Sequence, residues 1–232
     1  MKQQKRMGNH SLSASQITIL GLMIALLLLM AWTPLGYLNI GPLAISFNMI
    51  PVAISAIALG PLGGTIAGAV FGITSCLQCV GIGGASVMGV MLFNINPILA
   101  LIQRFVPRVL TGFLLGHFFQ WIRARKVRIQ VAGPLTGFLA AFLNTLFFMT
   151  LLVLLFGNTE YVQNLVGGRN ILIFIVTFVG INAVCEMAAS TIITGAVANA
   201  LYKARILPGN SSAAKEDTPS RKFYVRGKER TS

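Results

Sequence analysis

Two arginines, one glutamate and a set of asparagines are the residues of this chain best suited to chemistry, because they stand inside long apolar runs. Arg104 and Arg108 are four positions apart, so a helix places them on one face. Glu186 has Asn182 four positions before it, on a shared face of another helix. An ionisable group at mid-bilayer costs at least about 2.5–3.5 kcal/mol, so such groups face protein or a water-filled cavity and usually pair. If Glu186 neutralises one arginine, one positive charge is left over. A guanidinium fork holds a carboxylate through two parallel hydrogen bonds, so a small anion is the matching ligand. The alternative is structural: Arg104 extends to the outer headgroups while Arg108 pairs with Glu186 and ties two helices together. Asn48, Asn94, Asn96 and Asn144 add donors and acceptors. Convergent amides in an apolar setting suit a polar solute, although each alone can serve as an interhelical bond worth about 0.6 kcal/mol.

The elements that carry these residues are expected to be membrane helices. Hydrophobic residues make up 55% of the chain and charged ones 10%, against about 25% charged in a soluble domain. Mean hydropathy is +0.78. A span needs about 20 apolar residues. Several runs meet that length, and six helices are read, at residues 16–32, a short one at 49–59, from the Gly60-Pro61-Leu62-Gly63-Gly64 turn to 75, 96–121, 131–156 and 171–202. The expected fold is an all-α integral membrane protein of six transmembrane helices. Pro51 suits the first turn of the second helix, and Asn96-Pro97 opens the fourth. Residues 33–48 and 157–170 read as outer loops. Periodicity leaves Val87 to Phe93 open between a re-entrant segment and a loop cap. Counting from Pro97, Arg104 and Arg108 lie about 10 and 16 Å down their helix.

The net charge of +13 is distributed as a topology signal rather than a nucleic-acid footprint. Lys2, Lys5 and Arg6, then Arg123, Arg125, Lys126 and Arg128, then Lys203 and Arg205 each flank an apolar segment, whereas Arg169 is the one basic residue in the outer loops. The positive-inside bias then puts both termini in the cytoplasm. Residues 1–15 are expected to be a basic cytoplasmic N-terminus, 16–205 the membrane domain, and 206–232 a disordered basic tail. Asn210 opens a glycosylation sequon that this topology leaves inert. Cys76 and Cys79 have C-x-x-C spacing without the second pair or nearby His of a zinc site, and read as ordinary small residues. No phosphate loop, zinc-protease motif or nucleophile elbow occurs. A transporter subunit with no ATPase site of its own, no cofactor and no metal is the expectation.

Small residues form a separate pattern. Gly21 and Ala25 make a small-xxx-small pair in the first helix, suited to docking another membrane subunit, and Gly60, Gly64, Gly68 and Gly72 form a stripe suited to close internal packing. Gly60-Pro61-Leu62-Gly63-Gly64 also resembles Gly133-Pro134-Leu135-Thr136-Gly137, a hint of an old duplication.

The stretch from Thr33 to Ser75, with Gly-Pro in its outer loop, Ile50-Pro51 leading a short helix and a Gly-Pro-x-x-Gly turn before a glycine-rich helix, resembles the substrate-binding S components of energy-coupling factor (ECF) vitamin transporters. Asn96-Pro97 through Gly112, and the last helix with Asn182 and Glu186, are similar to that family too. The likeness covers about residues 15–205 and is greatest to pantothenate-type S components. It implies a bundle in a bacterial cell membrane that captures a water-soluble vitamin at the outer face. It further implies docking, through a small-residue motif on the first helix, onto a shared transmembrane coupling subunit with two ATPases. The matching place here is Gly21 to Ala25. Release inside is thought to follow toppling of the whole S component. Pantothenate is a monocarboxylate with hydroxyl and amide groups, which suits Arg104 or Arg108 for the carboxylate and Asn48, Asn94, Asn96, Asn144, Asn182 and Glu186 as further contacts. An S component for another vitamin such as folate, or a stand-alone secondary transporter, is the alternative. A secondary transporter usually shows several intramembrane carboxylates, where Glu186 stands alone.

Overall fold

The computed structural model describes residues 14–33, 36–40, 43–84, 86–168 and 171–207. The basic residues of the N-terminus, the tail with its sequon, Pro34, Gly41, Pro42 and Arg169 lie outside the described residues. The elements run α1 (Ala14–Trp32), β1 (Tyr37–Ile40), β2 (Leu43–Ser46), α2 (Met49–Cys79), α3 (Val87–Ile95), α4 (Pro97–Ala124), α5 (Ile129–Phe156), α6 (Glu160–Val166) and α7 (Ile171–Lys203). Five of these helices, with α7 counted from Asn182, are long and apolar enough to cross a membrane by length and composition.

Local chemistry explains the boundaries. At the start of α4 the Asn96 side chain accepts from the Leu99 amide while Pro97, which has no N–H to satisfy, takes the first helical position. Ser86 caps α3 by accepting from the Gly89 amide, and Thr159 caps α6 by accepting from Val162. The segments expected to be loops therefore hold more order than their composition suggests. Residues 33–48 contain the antiparallel hairpin β1–β2, with Tyr37 opposite Ser46 and Ile40 opposite Leu43. Residues 157–170 contain α6, and Val87–Ile95 forms a helix of its own.

α2 is two helical arms that meet at a kink. Gly60 has φ 70° and ψ −152°, a conformation essentially restricted to glycine. In an unbroken helix residues 56 and 64 stand about 12 Å apart. Here a Cβ placed on Gly64 would lie 3.0 Å from the Ala56 Cβ, and one on Gly63 would lie 2.6 Å from the Ser55 carbonyl oxygen. The two arms, 49–59 and 61–79, thus fold back on each other at Gly60. An alanine at Gly60 is expected to cost about 1–3 kcal/mol, since it must also displace Gln120. Thermal unfolding in detergent measures this directly, and an unchanged midpoint for Gly60→Ala would contradict the account.

The glycine stripe of the second arm meets α4 backbone to backbone. A Cβ on Gly64 would overlap the Gly112 carbonyl, one on Gly112 would overlap the Gly64 carbonyl, and one on Gly68 would overlap the carbonyl of Arg108. Close approach of this kind is what small-residue stripes permit. α5 and α7 are joined likewise: Gly137 abuts Ser190, whose hydroxyl donates to the Gly137 carbonyl at 2.8 Å, and Pro134 abuts Gly195. At the opposite end of the bundle α3 and α6 share a core in which Met88 and Leu92 pack with Met149, Leu152, Phe156, Val162 and Val166.

Candidate functional site

The seam between α2 and α4 determines where the two arginines point. Arg108 touches Gly68 through its own backbone, so its side chain is held at a set depth in the bundle. Pro107 adds a second constraint. A proline inside a helix cannot donate to the carbonyl four residues back, which is Gln103. That freed carbonyl oxygen accepts from Arg108 Nη1 at 3.3 Å. Arg108 is 5% exposed and Arg104 7%. Arg104 therefore does not reach out to headgroups; its Nη2 donates to Ser86 Oγ at 3.0 Å, at the cap of α3.

Phe148 of α5 stands between the two cations. Its ring centroid is 5.4 Å from the Arg104 guanidinium carbon and 4.8 Å from that of Arg108, and Phe71 lies 5.4 Å from Arg108 on another side. A ring face in contact with a guanidinium stabilises it by about 0.5–2 kcal/mol, which offsets part of the cost of burying charge. Tyr161 on α6 feels the charge of Arg104, while its own burial pushes the phenol upward from its ordinary value. It remains a neutral hydroxyl at physiological pH.

Packing below this point fixes the depth of the other polar groups. Ala140 and Leu115 share one core cluster with Val52, and Phe148 meets Arg108 two turns further out. Asn144, midway between Ala140 and Phe148, therefore lies near the depth of Thr111. Val52 approaches Gly112, so Asn48, one turn before Val52, lies near the depth of Arg108. Asn48 is fully buried. The result is a polar layer fed by α2, α4 and α5. The Oδ1 atoms of Asn48 and Asn144, Oε1 of Gln103 and Oγ1 of Thr111 are buried without a hydrogen-bond partner among the described residues. Each such atom costs about 1–3 kcal/mol unless something binds it.

Glu186 joins the layer through the hairpin. Its Oε1 accepts from the Ser46 amide at 2.5 Å, and Ser46 Oγ accepts from Asn48 Nδ2 at 3.4 Å. Arg108 acts on Glu186 electrostatically across the layer. Asn182 is half-buried one turn before Glu186. Asn94 is exposed on α3, and Asn96 is half-buried at the α4 cap. Cys76 and Cys79 are free thiols, with Cys79 Sγ donating to the Ser75 carbonyl at 3.5 Å. Gly21 sits on an open face of α1, where an added Cβ would meet nothing within 4 Å.

Sequence reasoning did not single out Phe71, Phe148, Gln103, Ser46 or Ser86. The one legible signal was Pro107, whose missing N–H marks Gln103 as the carrier of a free carbonyl. Helices long and apolar enough to cross a membrane thus enclose a buried layer of cations and amides, as a multi-pass membrane protein would. The chain matches the ECF transporter substrate-specific component over residues 15–198 and belongs to that family. It is therefore a substrate-binding transporter component rather than an enzyme. No individual curated protein matches it.

Proposed function

We propose that the protein is the S component of an ECF-type importer in a bacterial cell membrane and captures pantothenate at the end of the bundle where α3 and α6 meet. The observation that carries this reading is the pair of buried guanidinium groups flanking Phe148, beside amide and hydroxyl atoms with unmet hydrogen bonds. Arg104 or Arg108 receives the carboxylate. Asn48, Asn144 and Asn182 meet the hydroxyl and amide groups, with Asn94 and Asn96 at the rim. The two arms of α2 are counted as separate passes, the first being too short to span the hydrocarbon by itself, which makes six passes and leaves both termini cytoplasmic. Family membership implies a coupling subunit and ATPases as partners, with Gly21 and Ala25 on the docking face of α1. ATP hydrolysis is theirs.

The test is a thermal-shift screen of the purified protein against water-soluble vitamins, followed by binding of radiolabelled pantothenate. A ligand at 100 times its Kd stabilises the folded state by about 2.7 kcal/mol, so pantothenate is expected to raise the melting point while the other vitamins leave it unchanged. A rise with folate or another vitamin alone would overturn the choice of ligand, and no rise with any would overturn the reading of the polar layer as a vitamin site.

A further inference from the structure

The hydrogen bond between Glu186 and Ser46 connects two parts of the chain that are 140 positions apart. Ser46 is the last residue of β2, paired with Tyr37 in the hairpin register. Among the described residues the sheet has two strands, so one edge of β2 has no strand partner there, and a strand edge presents unpaired N–H groups. The Ser46 amide is satisfied there by a carboxylate on α7. Ser46 is held from its other side as well, because its hydroxyl accepts from the side chain and the backbone amide of Asn48. The base of the hairpin is thereby tied to α7 by Glu186 and to the start of α2 by Asn48. Asn48 belongs to the polar layer, so the same residues that line the layer also anchor the strand beside it.

We propose that Glu186 is a positioning residue whose carboxylate pins β2 to α7 and keeps the hairpin closed beside the polar layer, and that it does not touch the ligand. This rests on the reading of the layer as the ligand site. The decisive contrast is between Glu186→Ala, which removes the acceptor, and Glu186→Gln, which keeps an acceptor oxygen and removes the charge. Hydrogen exchange of the full-length protein in detergent, without ligand, reports the hairpin by itself. In Glu186→Ala the amides of β1 and β2 are expected to exchange at least tenfold faster than in the wild type, and in Glu186→Gln within threefold of it. Radiolabelled pantothenate is expected to dissociate about tenfold faster from Glu186→Ala and at a near wild-type rate from Glu186→Gln.

Ser46→Pro supplies a second route, since it deletes the donor N–H and leaves the carboxylate in place. It is expected to reproduce the faster exchange even if Glu186→Ala fails to fold. Unchanged exchange in both Glu186→Ala and Ser46→Pro would overturn the latch. So would a Glu186→Gln protein that loses pantothenate as Glu186→Ala does while its hairpin stays protected, because the charge would then be acting on the ligand. Faster exchange in a protein whose wild type binds no pantothenate upholds the latch and overturns only the assignment of the ligand.

Discussion

Arg108→Ala is expected to weaken pantothenate binding by about 30- to 4,000-fold, as measured by equilibrium binding to the purified protein. Truncating one partner of a buried, hydrogen-bonded charge pair costs about 2–5 kcal/mol, and every 1.4 kcal/mol is tenfold in affinity. Arg108 is the more buried of the two arginines, is aimed by the carbonyl that Pro107 frees, and lies against two aromatic rings. Arg104→Ala is expected to cost less, since its guanidinium also serves the Ser86 cap. Lysine at position 108 is not expected to restore binding: an ammonium is a point charge without the planar fork or the stacking face. Unchanged affinity in both alanine variants would remove the carboxylate from the proposed mode of binding.

The second large effect concerns the helix seam. Gly64→Ala and Gly112→Ala are expected to lower the melting temperature by several degrees, and the corresponding valine variants to prevent accumulation of folded protein. Helix propensity alone favours alanine over glycine by about 1 kcal/mol, so a fall in melting temperature reports the seam and not the intrinsic preference. The opposing term is larger, because each new methyl would overlap a backbone carbonyl on the facing helix, which cannot rotate away as a side chain can. Overpacking costs about 1–3 kcal/mol even where side chains can yield. Gly21→Leu is the contrast, since nothing stands within 4 Å of its Cβ direction. It is expected to keep its melting temperature and to lose co-purification with the coupling subunit. A Gly64→Ala protein as stable as wild type would show that the two helices are not seated backbone to backbone.

Much of the helical framework was legible because its ends carry punctuation with a physical cause. Asn96-Pro97, Pro51 and the Gly60 turn each state where a helix begins or breaks, and the observed boundaries fall within a few residues of the expected ones. The short elements were not legible. The strands 37–40 and 43–46 and the helix 160–166 are too brief for a hydrophobic period to separate strand, helix and loop, and contacts across the chain, such as Ser46 with Glu186, help hold them. Gln103 and Thr111 were missed, but Arg104, Arg108, Glu186, Asn48 and Asn144 stood out because charge and amides are costly in an apolar run. Phe71 and Phe148 did not, since a phenylalanine among leucines carries no sign that a guanidinium rests on it.

The bundle uses one joint twice. The second arm of α2 leads through the short helix α3 to α4, and α5 leads through the short helix α6 to α7. In each unit a proline meets a glycine on the returning helix, Pro61 against Gly116 and Pro134 against Gly195. Both short helices share one core at the same end, so the units run parallel and not inverted. Arg104 and Arg108 lie twelve and eight residues before Gly116; Asn182 and Glu186 lie thirteen and nine before Gly195. The two units thus carry charges of opposite sign at similar distances from like contacts. Inverted repeats let some transporters exchange outward- and inward-open states by trading the conformations of their halves. Parallel units can support alternating access too, so the repeat does not choose between such an exchange and movement of the whole bundle. On the proposed reading it is membership of the family that implies release by movement of the whole bundle, driven from outside this chain.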